Sequence, residues 1–279
     1  SAQQYFHTFC GVLRVLMLFV AGVVVVAILL GKSPLTLFAG LGATSAVLML
    51  VFKDTITGLA SGVRLTSNDM LHKGDWITVK SVDANGIVEE MSLTTVKVRN
   101  FDNTIVTSSP TTLVNGSFQN WIGMQNSGGR RVKRLVYFDF RSIRLVDDLL
   151  KQKLISKHLA TEDSFKLKES LQKALEKDRL EGKDIEDLKN PAALAPTNLQ
   201  LYRKFMEKYL RQRPEINTEL TLMVRHLEAT QCGLPIEFYF FIKDKVWVNY
   251  EHILADIMEH AYALANEFGL KIYEQYPEQ

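Results

Sequence analysis

Cysteine is scarce in this 279-residue chain, and its two copies, Cys10 and Cys232, lie far apart. Two cysteines cannot build a disulfide framework, and without help from histidine they are too few for a metal cage. The six histidines are scattered and form no HExxH motif and no Cys/His cluster at ligand spacing. A small disulfide-rich secreted scaffold is therefore excluded, and we expect no metal site and no cofactor.

An excess of either charge is also missing. Lys and Arg number 33 against 31 Asp and Glu, which gives a formal net charge of +2. Because phosphate binding needs a strong basic excess, this balance argues against nucleic acid as a partner. Charge is nearly absent from residues 1–60, where the only charged side chains are Arg14, Lys32, Lys53 and Asp54. The first fifth of the chain is thus suited to a less polar environment than the rest.

Two long uncharged runs occupy this charge-poor region. Residues 15–31 form the first run, and residues 6–13 extend it to about the 20 residues that a helix needs to cross a bilayer. The second run covers residues 35–52 and follows Pro34, whose fixed φ suits the first turn of a helix. With only the short break Gly31–Pro34 between them, the two runs predict a tight transmembrane hairpin.

The chain does not open like a signal peptide. It has no initiator methionine, no basic n-region and no small-residue cleavage site. We therefore expect the sequence to start partway into a longer protein, in which further spans can precede it. Arg14 is expected to reach the cytoplasmic side of the first span, which agrees with a large C-terminal portion staying inside.

The second run is rich in Ala, Gly and Ser, which let membrane helices approach closely. A stripe at helical spacing combines small residues with one leucine and ends in charge: Ala39, Ala43, Ala46, Leu50 and then Lys53 or Asp54. Such a stripe suits an axis surrounded by copies of the same helix. The alternative is a plain anchor hairpin in which the small residues serve one helix–helix contact.

Residues 53–68 continue the helical spacing but are too polar to span a bilayer. Their apolar stripe consists of Ile56, Leu59, Ala60 and Val63. A polar helix with such a stripe is typical of the membrane interface. We expect the turn from spanning to lying flat near Lys53 and Asp54, with Gly58 and Gly62 adding compliance or close packing.

From Leu71 onward the pattern changes to short alternating runs separated by turn signals. The runs DWITVKSV, GIVEEM, TTVKVRN and NTIVTSS read as strands, with Gly, Asp and Asn between them. Short strands and tight turns over about 50 residues predict a small β-barrel or sandwich. Trp76 and Trp121 are expected to fill a core or an interface.

These segments together carry a family resemblance. The stretch FAGLGATSAVLMLVFKDTITGLASGVRL is followed by GDWITV, GIVEEMSLTTVKVRNFDNTIV and LVNGSFQNW. The series resembles the small-conductance mechanosensitive channel (MscS-like) family, and within it the YbdG-type miniconductance branch of bacterial inner membranes. The resemblance covers residues 10–140 well and residues 219–279 more loosely. Its specificity comes from the long order of motifs, from a small-residue helix to an asparagine-bearing loop.

The resemblance implies a tension-gated ion channel and not an enzyme. It implies a homoheptamer embedded in membrane lipids, in which seven copies of the second helix line a pore for ions and small osmolytes during hypoosmotic stress. The pore lining would be Ala39, Ala43, Ala46 and Leu50, with the pore seal at Leu50 and Ala46. Apolar side chains around a narrow axis exclude water and close such a pore. The family generally has a bulky leucine where Ala46 stands, so Leu50 would carry most of the seal.

The resemblance also assigns the kink and the interfacial helix. The kink would fall at Lys53 and Asp54, where the family has a glycine. The two charged side chains would bend the chain there, because they favour the polar membrane interface. Leu59 and Gly62 would lie on the interfacial helix. A ring-forming membrane-anchored scaffold or regulatory protein of the same fold, with little channel activity of its own, is the alternative function.

The predicted architecture is a membrane protein with three parts. Residues 1–70 form the transmembrane hairpin with its kinked pore helix and interfacial helix, and residues 71–125 form a small Sm-like β-barrel domain. Residues 130–279 form a ferredoxin-like α/β cytoplasmic domain with a helical insertion at about 160–215. Residues 123–129 are predicted to be a flexible linker.

Within the last part, the residue patterns predict further elements. VKRLVYFDF reads as a strand, further predicted strands cover residues 219–224 and 236–242, and residues 271–273 form a last short segment. Predicted helices cover residues 143–159, 199–212 and 250–268. Residues 151–189 carry charges of alternating sign, which indicates a solvated helix and not a nucleic-acid surface.

A membrane-anchored enzyme is one competing hypothesis. Its metal or acid–base site would use Asp256, Glu259 and His260, with Glu251 and His252 two turns earlier. A solvated helix face explains these residues more simply, and no positioned nucleophile or phosphate-binding loop accompanies them.

An RNA-binding ring of Sm type is another competing hypothesis. Lys80, Lys97 and Arg99 would supply its cations. The near-zero net charge and the apolar hairpin argue against this function.

Overall fold

The computed structural model describes residues 2–166, 173, 177, 180 and 195–275. The chain divides into two compact units, Ser1–Trp121 and Ile122–Gln279. Of the helical insertion predicted at about 160–215, residues 167–194 lie outside the described residues, apart from 173, 177 and 180.

Two long helices open the first unit, α1 (Ala2–Leu29) and α2 (Pro34–Ser67). Gly31 adopts a φ of +63° in the connection between them, a conformation that glycine reaches without strain. Ser33 caps α2, because its Oγ accepts a hydrogen bond from the Thr36 amide at 3.3 Å. Both helices have the length and apolar composition to cross a membrane. The two predicted helices and the short break between them are confirmed.

The rest of the first unit is built on a five-stranded sheet. Its strands are β1 (Trp76–Val79), β2 (Ala84–Met91), β3 (Val96–Asn100), β4 (Ile105–Ser108) and β5 (Gln119–Asn120). They are antiparallel in the order β4-β3-β2-β1-β5, and in the described chain no pairing of β4 with β5 closes them into a barrel. Asp83 and Asn103 adopt left-handed backbone conformations at two predicted turns. The four predicted strands are confirmed.

One face of this sheet carries the core of the β-domain. Alternation along the strands turns residues such as Ile77, Val88 and Val98 inward, and Leu113 packs on them from the short helix α3 (Pro110–Asn115). Leu65 joins the same core from the last turns of α2. The long helix therefore ends inside the β-domain.

The second unit has a three-stranded sheet with helices on one face. Its elements are α4 (Ile122–Asn126), β6 (Arg130–Phe138), α5 (Asp148–Ser156), α6 (Asn198–Gln212), β7 (Met223–His226), β8 (Leu234–Ile242) and α7 (Trp247–Glu267). The sheet order is β6-β8-β7, with antiparallel pairs throughout. An isolated antiparallel bridge joins Phe138 to Ile272.

The core of the second unit lies between this sheet and its helices. Ile236, Phe238 and Phe240 of β8 are fully buried and pack on the inner faces of α5, α6 and α7. Tyr202 is buried with them, and its hydroxyl donates to the Ala261 carbonyl at 2.6 Å. Burial raises the pKa of this phenol well above its ordinary value. The unit is thus a two-layer α/β structure.

Several element predictions in the second unit need correction. The flexible linker expected over residues 123–129 is helical at its start, where residues 123–126 belong to α4. The Lys245 ammonium donates to the carbonyls of Gln125 and Ser127 at 2.7 and 2.8 Å. These bonds satisfy carbonyls at a helix end that would otherwise lack partners.

Element boundaries also shift. The helix predicted over residues 143–159 is confined to α5, because Asp147 caps it by accepting the Leu150 amide at 2.8 Å. The strand predicted over residues 219–224 begins only at Met223. The strand in β8 and the helices α6 and α7 are confirmed within a few residues of their predicted ends.

Candidate functional site

The N-terminal half of α2 carries the candidate pore residues. One turn of an α-helix takes 3.6 residues, so Ala39, Ala43, Ala46 and Leu50 lie within roughly 60° of one another around the axis. All four are exposed, and Leu50 is 74% exposed. In the part of the chain that the structure describes, nothing covers this apolar stripe.

Helix α1 contacts α2 on a different side. The groove between them has a volume of 420 Å³ and is lined from α2 by Leu37 and Leu41. These two residues point about half a turn away from the stripe that ends at Leu50. Helix α1 therefore packs on the side of α2 opposite the predicted pore face and leaves that face exposed. The assignment of a pore lining and a seal to this face stays a prediction.

Lys53 and Asp54 lie at the predicted kink. Both are exposed, and the helix runs without interruption through them from Pro34 to Ser67. The change of direction expected at this point stays a prediction. Below it, Ile56 and Val63 remain exposed on one side of the helix, and Leu59 is partly covered at 38% exposure.

The last turns of α2 are fixed to the β-domain on the other side. Ser61, Gly62 and Leu65 are buried there. A Cβ at Gly62 would stand 2.6 Å from the carbonyl oxygen of Leu93, in the loop between β2 and β3. Because the carbonyl oxygen of Leu93 is a backbone atom that cannot rotate away, only glycine lets α2 lie this close to the loop. Gly62 thus serves close packing.

A cavity of 430 Å³ adjoins Asp54 and is lined largely by residues that carry hydroxyl groups. From α2 it is lined by Asp54, Thr55, Thr57 and Gly58, and from the β-domain by Thr94, Ser109 and Thr111. Hydroxyl groups and one carboxylate offer hydrogen bonds to water at the level where the apolar stripe ends. No group of three metal-ligating side chains is found in the described residues.

Two of the three basic residues considered for an RNA-binding ring, Lys97 and Arg99, are paired, and Lys80 is exposed. Lys97 donates to Glu90 at 2.6 Å and Arg99 donates to Glu89 at 2.7 Å, between the adjacent strands β2 and β3. The hydrogen bond from Lys97 lowers the pKa of the Glu90 carboxyl. Cations neutralised in this way do not form the open basic patch that RNA binding needs.

The residues proposed for an enzyme site do not converge. Glu251, Asp256, Glu259 and their two histidine neighbours are exposed along the outer side of α7. The His260 ring contacts the Asp256 carbonyl of its own helix at 2.7 Å and stacks on Tyr209. This arrangement is a solvated helix face.

Sequence reasoning missed a polar contact that fixes the chain after α2. The buried carboxylate of Asp75 accepts the His72 amide at 3.0 Å and the Asn120 side-chain amide at 2.8 Å. Trp76 and Trp121 stack beside it with ring centroids 4.6 Å apart, both half-buried. The GD turn before β1 was the available signal for this contact, since an aspartate in a turn often binds nearby amides.

Comparison with known families bears on the region just described. The family model described as "Mechanosensitive ion channel, beta-domain" matches residues 54–123. These residues run from Asp54 in α2 through β5 to the start of α4.

Named relatives match over part of the chain. The small-conductance mechanosensitive channel MscMJ of Methanocaldococcus jannaschii is 33% identical over 84 residues, which are 30% of this chain and 23% of that protein. The large-conductance channel MscMJLR of the same organism is 29% identical over 105 residues, 38% of this chain and 28% of that protein. The chain therefore spans less than a third of either relative.

Solved structures match over nearly the whole chain. Arabidopsis thaliana MSL1 superposes with a TM-score of 0.59 at 13% identity, covering 99% of this chain and 79% of that one. Helicobacter pylori MscS in its closed state superposes with a TM-score of 0.55 at 14% identity, covering 96% and 81%. At such identities the likeness concerns the fold: apolar N-terminal helices followed by the β-domain and an α/β unit.

Proposed function

Since this chain is MscS-like in its β-domain sequence and in its fold, we propose that it forms the pore of a mechanosensitive ion channel. Membrane tension opens the channel, and ions and small osmolytes leave the cell during hypoosmotic stress. The observation that carries the proposal is α2: its apolar stripe from Ala39 to Leu50 is bare, while its other end is built into a β-domain of mechanosensitive channel type.

In this proposal the bare stripe faces copies of the same helix. A single helix with four exposed small or apolar residues encloses nothing, but a ring of such helices creates a narrow apolar axis that excludes water. We take the ring to be a homoheptamer in the bacterial inner membrane, surrounded by lipids, with its C-terminal part in the cytoplasm. Within the family, the YbdG-type branch is our assignment.

The seal in this proposal consists of Leu50 with a contribution from Ala46. A methyl group at Ala46 fills little of the axis, so the larger Leu50 side chain excludes most of the water. Tension favours the state that occupies more membrane area, and an outward tilt of α2 widens the Leu50 ring. The charges of Lys53 and Asp54 bend the helix toward the interface, where Leu59 rests.

Finer features of the fold belong to the same proposal. In the assembled channel the five-stranded sheet takes the role of an Sm-like barrel domain over residues 71–125. The order of the second unit supports a ferredoxin-like topology over residues 130–279. The order is β6, the helices α5 and α6, β7, β8, α7, and then the chain that bridges Phe138 at Ile272.

Recording from the full-length protein alone in liposomes, under stepped suction, tests the proposal. We expect discrete current steps that begin above a threshold of pressure. Silence up to rupture of the patch would contradict channel function and would favour the membrane-anchored scaffold.

Substitution of Leu50 tests the seal. We expect Leu50→Ser to admit water at the narrowest ring and to lower the pressure threshold, because a hydroxyl replaces the apolar group that prevents wetting. The matched control is Leu48→Ser, which makes the same chemical change about half a turn away on α2 and should leave the threshold unchanged. Equal thresholds for wild type and Leu50→Ser would remove Leu50 from the seal.

A further inference from the structure

One face of the sheet in the second unit is not covered by any helix of the described chain. On β6, β7 and β8 the residues of this face alternate with those of the core. They combine basic with apolar and aromatic side chains: Arg131, Lys133, Leu135, Arg225, Tyr239 and Phe241. Leu135 is 38% exposed, and Tyr239 and Phe241 are half-buried. We call these six residues the open sheet face.

A buried carboxylate lies in the middle of the open sheet face. Glu237 is fully buried, and its Oε2 accepts a hydrogen bond from Arg225 Nε at 2.7 Å. Its Oε1 has no hydrogen-bond partner in the described structure, and the ammonium of Lys133 is 3.6 Å away. Buried polar atoms are nearly always paired, so this oxygen indicates a missing donor.

The opposite surface of the same unit is acidic. Glu251, Asp256 and Glu259 are exposed on the outer side of α7, whose inner side fills the core. None of these three carboxylates forms an ion pair with another described residue. Val248 and Tyr262 are exposed beside them, so the surface is also partly apolar. We call these five residues the outer α7 face.

We propose that the outer α7 face of one copy binds the open sheet face of the next copy. The three carboxylates of the first then meet Arg131, Lys133 and Arg225 of the second, and apolar and aromatic side chains fill the centre. The Tyr262 hydroxyl is a donor of the kind that Glu237 Oε1 lacks. The inference rests on the proposed function, because it requires a chain that assembles with copies of itself.

The positions of the two faces determine the symmetry of this contact. One face belongs to the sheet layer and the other to the helix layer of the same two-layer unit. A contact between different faces is head-to-tail, and repeated head-to-tail contacts form a ring when the rotation from one copy to the next closes. A symmetric dimer, in which the same face meets itself, would bring like charges together.

Cysteine cross-linking in the full chain tests the contact. In a Cys10→Ser, Cys232→Ser background, one cysteine replaces Lys133 or Leu135 on the open sheet face, and a second replaces Ala255 or Glu259 on α7. Ala255 is exposed between the acidic residues. Oxidation of the assembled protein in membranes should give a ladder of covalent oligomers for at least one pair. Neither single-cysteine parent should give more than a dimer.

A charge swap provides an independent measurement. In the variant with cysteines at Leu135 and Ala255, Lys133→Glu together with Arg131→Glu should abolish the ladder, and adding Glu259→Lys and Asp256→Lys should restore it. The control pairs Lys208→Cys, on the exposed side of α6, with each α7 cysteine, and no ladder should form.

The outcomes separate this inference from the proposed function. An oligomeric, tension-gated protein in which no pair forms a ladder would overturn the interface and leave the channel standing. Strong dimers from single cysteines on one face would show face-to-face pairing and would also overturn it. A monomeric chain would overturn the proposed function and this interface together.

Discussion

At the scale of single residues, the contact between α2 and the β-domain depends on the absence of a side chain at Gly62. The missing Cβ would lie 2.6 Å from the carbonyl oxygen and 2.9 Å from the Cα of Leu93. Neither atom belongs to a side chain that could rotate away. The neighbouring Leu65 is fully buried in the β-domain core, so the helix cannot shift without opening that core.

Gly62→Ala should therefore destabilise the protein by about 1–3 kcal/mol, the usual cost of forcing an extra carbon into a packed contact. The matched control is Gly58→Ala, one turn earlier on α2, where a Cβ would meet no atom within 4 Å. Because alanine favours helix over glycine, the control should be neutral or stabilising by up to about 1 kcal/mol. Thermal unfolding of the purified variants measures both effects, and equal losses at the two sites would refute the packing argument.

A second residue of this kind is Asn198 in the second unit. It is fully buried, and its side-chain amide donates to the carbonyls of Ser142 at 2.8 Å and Phe268 at 3.1 Å. Its oxygen accepts the backbone amides of Arg144 at 3.0 Å and Leu199 at 2.9 Å. One side chain thus joins three separate parts of the chain.

Asn198→Asp should keep both acceptor bonds and lose both donor bonds. The carbonyls of Ser142 and Phe268 then lose a partner and face a carboxylate, and each buried group left unsatisfied costs about 1–3 kcal/mol. Asn266→Asp, an exposed change of the same kind on α7, should stay within about 0.5 kcal/mol of wild type. Denaturant titration measures the difference, and similar stabilities for the two variants would contradict the role assigned to Asn198.

At the scale of elements, the sequence was most informative where periodicity is long. The apolar runs predicted both long helices, and alternating patterns predicted β1 to β4 and β8, because burial on one face imposes a period of 2 or 3.6 on the residues. The turn at Asp83 was predicted from its Asp-Ala-Asn-Gly signal, and that residue has a φ of 52°.

Short elements fixed by tertiary contacts were not predictable in this way. Helix α4 is only five residues long, and its last carbonyls bind Lys245, which is more than a hundred residues away in sequence. Helix α3 begins with the signal Ser109-Pro110, but the apolar pattern over six residues is too short to indicate a helix.

The same limit applied to the site. The stripe from Ala39 to Leu50 was visible as a periodic pattern. The contact of Gly62 with Leu93 was not, because a local sequence pattern does not indicate which distant segments lie close together. Glu237 is a similar case, because a glutamate in an apolar strand does not reveal which cations lie beside it.

The contact between α5 and α7 depends on charge and should therefore depend on pH. Glu267 Oε2 accepts hydrogen bonds from Lys157 Nζ at 2.6 Å, and Lys153 Nζ lies 3.1 Å away. These two ammonium groups lower the pKa of the Glu267 carboxyl. A lowered folded-state pKa adds stability that is complete above the ordinary carboxyl pKa and is lost as the pH falls through the lowered value.

Glu267→Gln should accordingly lower the unfolding temperature at neutral pH and have no effect in acid, below the lowered pKa of Glu267. Melting curves of both proteins at a series of pH values measure this convergence. Glu228→Gln removes an exposed carboxylate that forms no ion pair with the described residues, and it should give no difference at any pH. A constant offset between wild type and Glu267→Gln across the series would show that the contact is not electrostatic.

At the scale of the whole molecule, the chain contains two hydrophobic cores. The core of the first unit runs from Leu65 to Leu113, and Leu65 is the buried core residue that α2 contributes. The core of the second unit runs from Val132 to Leu270. Among the described residues the two cores share no side chain. Each core can therefore unfold without disrupting the packing of the other.

Two separate unfolding transitions should follow from this division, because cooperativity extends only as far as a continuous core. Gly62→Ala should lower the midpoint of one transition, and Asn198→Asp should lower the midpoint of the other. The double variant should show both shifts unchanged in size, since substitutions at distant sites with no shared partners are additive. Calorimetry of the full chain with each variant measures the two midpoints. A single transition that moves with either substitution would show that the two units unfold as one.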